Sequence, residues 1–170
     1  MKNSIATKTA YYGVLIALAL IFSYVEVLIP IPIGVPGVPG IKLGLANIVI
    51  LIGLYVMGTK DAFIISCIRI VLVGFTFGNM FSILYSLAGA ILSWLVMVLC
   101  KKMKGLSIVG VSIAGGISHN IGQIVVAALT MKTPGILSYL PVLLIAGTIT
   151  GFVIGILVDI ILKVQTKAFK

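Results

Sequence analysis

The feature that most constrains this chain is the near-continuity of its apolar sequence. Six apolar runs follow one another at about 9–29, 43–57, 62–76, 80–100, 106–131 and 136–162, with short turns between most of them. A helix that crosses the hydrocarbon layer of a bilayer needs about 20 such residues, so six crossings take up most of the 170 residues. The run at 43–57 is short for a full crossing. Only 9% of the residues are charged and 61% are hydrophobic, whereas soluble domains carry about 25% charged residues. That balance excludes an ordinary soluble domain and a disordered chain. The expected fold is an all-α integral membrane protein, a compact single-domain bundle of six transmembrane helices over residues 1–170.

The breaks between runs have recognisable chemistry. Pro30, Pro32, Pro36 and Pro39 alternate with Gly34, Gly37 and Gly40, which makes the segment up to Lys42 non-helical. Pro30 also stands where the polar region of a cleaved signal would be expected, so the first run reads as a span. Gly58-Thr59-Lys60 and Lys132-Thr133-Pro134-Gly135 read as turns, and Asp61 suits a helix N-terminus by its charge.

The net charge of +9 would suggest nucleic acid in a soluble protein, but here the lysines flank apolar runs. With the N-terminus in the cytoplasm, Lys2, Lys8, Lys60, Lys101, Lys102, Lys104, Lys163, Lys167 and Lys170 fall inside, and Lys42 and Lys132 outside. This asymmetry predicts a multi-pass protein of the cell membrane with both termini cytoplasmic. The acidic residues are Glu26, Asp61 and Asp159, far apart in sequence. Paired-carboxylate catalysis and carboxylate-held magnesium call for clusters, so the chain is not expected to be an enzyme by itself. Cys67 and Cys100 form no C-x-x-C pair and His119 has no ligand at metal spacing, so no metal site is expected. Motifs of phosphate loops, zinc proteases and serine hydrolases are missing from the sequence.

Small residues recur at four-residue spacing: Gly147, Gly151 and Gly155; Ser82, Ser86 and Ala90; Gly110, Ala114 and Ser118. Such stripes allow close helix approach in lipid. Polar groups at membrane depth are costly, and by default mark function. Arg69 lies at the middle of the third run, with no obvious buried carboxylate partner. Ser118-His119-Asn120-Ile121-Gly122-Gln123 is the densest polar cluster, preceded by Gly115-Gly116. His119 and Gln123 share a helix face. Interhelical hydrogen bonding would explain a lone asparagine; three strong hydrogen-bonding side chains beside a glycine pair favour a pocket. Asn47, Asn79 and Tyr85 are weaker candidates. Thr148 and Thr150 are read as bonding their own helix carbonyls, Asp159 and Lys163 as an ordinary i,i+4 pair. Glu26 is read as facing Lys42 or water. The expected substrate-binding set is therefore Arg69, His119, Asn120, Gln123, Asn47, Asn79 and Tyr85.

A small-residue first run (Gly13-Val14-Leu15-Ile16-Ala17-Leu18-Ala19), a Pro-rich loop, and Lys42-Leu43-Gly44-Leu45-Ala46-Asn47 opening a short second run resemble the S components of energy-coupling factor vitamin transporters. With Ser118-His119-Asn120-Ile121-Gly122-Gln123, the more specific resemblance is to a bacterial family known as Gx transporter or heptaprenyl diphosphate synthase component I. The first resemblance implies a binding subunit for a small organic solute, with the first loop covering the pocket. It also implies a membrane coupling protein that meets Gly13 and Ala17, and two cytoplasmic ATPases that use ATP, no cofactor being held by this chain. The second implies a non-catalytic accessory subunit beside a prenyltransferase, since aspartate-rich magnesium motifs are missing here.

Overall fold

The computed structural model describes residues 5–28, 44–132 and 134–168. They form six α-helices: α1 (Ile5–Leu28), α2 (Leu45–Val56), α3 (Thr59–Phe77), α4 (Met80–Lys102), α5 (Ile108–Met131) and α6 (Leu140–Ala168). A 3₁₀ turn, Pro134–Tyr139, precedes α6. There is no strand among the described residues. The helical bundle expected from the apolar runs is the fold. The expected cover formed by the 30–42 loop, and a contact of Glu26 with Lys42, fall outside the described residues.

Helix ends differ from expectation where local chemistry decides. Met57 and Gly58, the latter with φ 115°, make the turn after α2, and Thr59 and Lys60 already belong to α3. Asn79 and Ser107 begin α4 and α5 as N-caps, accepting from the Ser82 and Gly110 amides. The last break is longer than a simple turn, because Pro134–Tyr139 winds as 3₁₀ before α6 starts. Pro141 falls in the first turn of α6, where its missing N–H has no helical partner to lose.

Four segments are long and apolar enough to cross a membrane: α1, α4, α5 and Pro134–Lys167. Helix α2 has 12 residues, only about 18 Å of rise, and α3 carries Lys60, Asp61 and Arg69. The short α2 is mostly buried: Val49, Leu51 and Leu54 are among the most deeply buried side chains.

The order of contacts positions the site. Helix α2 packs on α3, α3 on α4, α4 on α5, α5 on α6, and α6 returns to α2. Five helices thus close a ring, and α1 packs against the α2 and α3 side of it. Two seams of the ring are set by glycine. A Cβ on Gly147 would stand 2.8 Å from the Gly116 carbonyl oxygen, one on Gly151 2.8 Å from that of Ser112, and one on Gly155 2.7 Å from Val109 Cα. Across the α4–α5 seam, a Cβ on Gly122 would stand 2.7 Å from the Ala88 carbonyl oxygen and one on Gly89 2.9 Å from that of His119. These backbones can approach so closely only because no side chain intervenes. The stripe on α6 is the one anticipated. The Gly110–Ala114–Ser118 stripe is not the seam of α5: a Cβ on Gly110 meets only Leu106 beside it, while Gly116 and Gly122 make the approaches.

One end of the ring is sealed. Leu51, Leu54, Met97, Val111, Ile154 and Val158 form one buried apolar cluster. Polar ties gird this end: Lys101 Nζ donates to the Leu54 carbonyl, Trp94 Nε1 to the Thr59 carbonyl at 2.9 Å, and Tyr12 and Lys8 both reach Asp61, at 2.7 and 2.9 Å.

Candidate functional site: a polar cavity inside the helix ring

Above the apolar plug the ring is hollow. A cavity with an empty volume of ≈ 670 Å³, counted out to its open side, is lined by Arg69 from α3, Tyr85 and Ser86 from α4, His119, Asn120 and Gln123 from α5, and Asn47 at the start of α2. Thr150 of α6 completes the wall, and Glu26 enters from the end of α1. Helical spacing explains the convergence. Gly116, His119, Asn120 and Gln123 stand three or four apart and so share one face of α5. Gly89 on α4 leaves room for the His119 and Gln123 side chains, since a Cβ there would lie 2.9 Å from His119 Cε1 and 2.8 Å from Gln123 Cγ.

The polar groups differ in how far they are already satisfied. Asn120 donates its amide to the Leu143 carbonyl at 2.7 Å, tying α5 to α6. That is a structural bond, and it fixes Asn120 at the cavity wall. Arg69 Nε is buried and has no hydrogen-bond partner among the described residues. A buried donor left unpaired costs about 1–3 kcal/mol, so an acceptor supplied by a bound molecule would relieve it. Tyr85 is buried with its ring packed among Ile124, Ala127 and Leu143.

Six of the seven residues expected to bind substrate therefore line one space: Arg69, His119, Asn120, Gln123, Asn47 and Tyr85. Asn79 does not join them. It is exposed at the start of α4, where its side-chain oxygen is engaged by the Ser82 amide; beside the Gly78 break a helix cap is the cheaper use for an asparagine. Glu26 is the residue that sequence reasoning missed. It does not simply reach water: one carboxylate oxygen accepts from the Leu45 amide at 2.7 Å, its carboxylate lines the cavity, and it acts electrostatically on Arg69. So Arg69 has a carboxylate nearby after all. A signal was present, because an acid in the last turn of α1 opposes that helix's own dipole, while the same charge at the N-terminus of α2 is favoured.

Gly13 and Ala17, expected to meet a partner, lie on the exposed face of α1, and a Cβ on Gly13 would touch nothing within 4 Å. Cys67 and Cys100 are free thiols.

Fold and site together define a small helical-bundle protein of membrane type, built around a polar cavity with one open side. The model of the family described as heptaprenyl diphosphate synthase component I matches residues 15–161, and the chain belongs to that family. No curated protein and no solved structure matches the chain.

Proposed function

We propose that this protein is a non-catalytic membrane component of a polyprenyl diphosphate synthase system, and that its cavity binds a small anionic molecule. The observation that carries the binding role is the placement of Arg69, whose buried Nε has no partner among the described residues, in one cavity with His119, Asn120 and Gln123. Intramembrane polar groups of this kind characteristically face an interior or a water-filled space and mark ligand paths. The family supplies the system, and its name speaks of a component rather than a whole enzyme. The three separate acidic residues offer no pair to hold magnesium against a diphosphate, so this chain's part is to bind and hand on, with a prenyltransferase subunit as its partner.

The second reading is a solute-binding subunit of an energy-coupling factor transporter, favoured by the open small-residue face at Gly13 and Ala17. Affinity purification from native membranes separates the two. Recovery of a prenyltransferase is the expected result. Recovery of a membrane coupling protein with two ATPases, and no prenyltransferase, would replace the first reading with the second.

A further inference from the structure

Arg69 also lines a second, smaller space, set between α1 and the two ring helices α3 and α4. Its empty volume is ≈ 350 Å³, about half that of the ring cavity, and its walls carry Ser23 and Glu26, Arg69 and Val73, and Ser82 and Ser86. Helical spacing builds it. Each of these pairs is three or four residues apart, so each helix turns one face to the pocket. Glu26, Arg69 and Ser86 line the ring cavity as well, whereas Ser23 and Ser82 line the side pocket and not the cavity.

Two buried donors on this pocket have no partner among the described residues: Arg69 Nε and Ser23 Oγ. The serine is the more telling. A helical hydroxyl has an easy alternative in the carbonyl four residues back. Thr9, Thr76, Ser118, Thr130 and Thr148 all take it, at 2.7–3.0 Å. Ser23 is only 4% exposed and does not. Arg69 Nε donates and never accepts, so the pocket is short of an acceptor. The Glu26 carboxylate is engaged by the Leu45 amide at 2.7 Å, at the start of α2.

We propose that this side pocket binds a small monovalent anion of halide type, bridging Arg69 Nε and Ser23 Oγ, with Ser82 and Ser86 in the same wall. A halide accepts from N–H and O–H donors in any direction. A water in its place would bring two hydrogens that need acceptors of their own. A buried guanidinium is costly unless its charge is compensated, and the nearby Glu26 disfavours an ion of higher negative charge. The aliphatic part of the wall, Ile70 and Val73, offers nothing to the several oxygens of a phosphate or carboxylate. Five N–H groups let one guanidinium serve an acceptor in each space. The bound ion would pin the end of α1 to α3 and α4, so stability should depend on halide.

The test exchanges the purified full chain, in an uncharged detergent, into sodium gluconate and titrates it with sodium chloride or bromide at constant ionic strength. Melting temperature and chloride NMR line width are followed. Both halides should raise the melting temperature and saturate, as a ligand of the folded state does. In gluconate, Ser23→Ala should melt no lower than the parent, because it loses a buried hydroxyl that makes no bond. Its half-saturating chloride concentration should rise about tenfold or more. Ser82→Ala serves should the first variant not be monodisperse. Inorganic phosphate, titrated by calorimetry in gluconate, should bind Ser23→Ala as it binds the parent. A halide effect that does not saturate, or that both serine variants leave unchanged, overturns the side site. Equal losses of chloride and phosphate affinity in Ser23→Ala mean a single site and overturn it too. Saturable, Ser23-dependent chloride binding without phosphate binding upholds the side site and removes the anion reading of the ring cavity alone.

Discussion

Arg69 and Glu26 bring opposite charges into one cavity, and their roles predict different losses. Removing a hydrogen bond to a charged group costs about 1.5–3 kcal/mol, roughly ten- to a hundredfold in affinity. Arg69→Ala and His119→Ala should each weaken ligand binding by about that factor while the protein remains inserted and monodisperse. Arg69→Lys should restore only part, because a point charge does not reproduce the planar donor fork. Thr148→Ala should change little, since its hydroxyl bonds its own helix at Leu144 and is exposed. Tyr139→Phe is a sharper check of burial: the hydroxyl is buried without a partner among the described residues, so melting temperature should stay or rise. The cavity set was legible at this scale wherever a polar side chain sat deep in an apolar run, as Arg69, His119 and Gln123 do. Near the ends of runs it was not. Asn79 has a helix end as an alternative, and sequence alone does not choose between a cavity wall and a cap; for Glu26 the dipole of its own helix is a signal against a bare helix end, but it does not point to the cavity.

Among the elements, the α5–α6 seam is the least tolerant. A Cβ on Gly116 would lie 2.5 Å from the Gly147 carbonyl oxygen, a contact with rigid backbone rather than a side-chain tip. Gly116→Leu or Gly147→Leu should therefore destabilise the protein by about 1–3 kcal/mol or more, read as a lower melting temperature and loss of a monodisperse peak. Gly13→Leu with Ala17→Leu is the contrast. Both positions are exposed, so the double variant should fold normally, and a loss of partner recovery would then report a docking face on α1. Helix number and the brevity of α2 were legible from apolar run length and from the Pro and Gly breaks. The register of α5 was not. Gly110, Ala114 and Ser118 match the spacing rule as well as the residues that make the seam, and small-residue spacing does not say which of two adjacent faces meets a neighbour. The 3₁₀ turn before α6 left no mark beyond Pro134 and Gly135.

For the whole molecule the first test is orientation. In a chain without Cys67 and Cys100, Val35→Cys should react with a membrane-impermeant thiol reagent on intact cells and Ser107→Cys should not, following the lysine asymmetry; the opposite pattern would invert the protein. Acid should loosen the sealed end. Asp61 stands one residue before the run at 62–76, and its hydrogen bonds from Lys8 and Tyr12 hold its carboxyl below the ordinary 3.8. A depressed pKa means the stabilisation is present above about pH 3.8 and is lost as pH falls through the lower folded value. With Lys8 half in solvent the effect should be small, seen as a melting temperature that falls at the most acid pH and falls less in Asp61→Asn. The closed ring also bears on how the protein is made. Its last seam joins α6 to α2, so synthesis must reach the final helix before the circle is complete. Until then the nascent chain holds Arg69 and His119 in an open groove, facing the insertion machinery or lipid. A chain arrested before residue 140 should accordingly be retained by that machinery or degraded, and release into the bilayer should coincide with the arrival of α6.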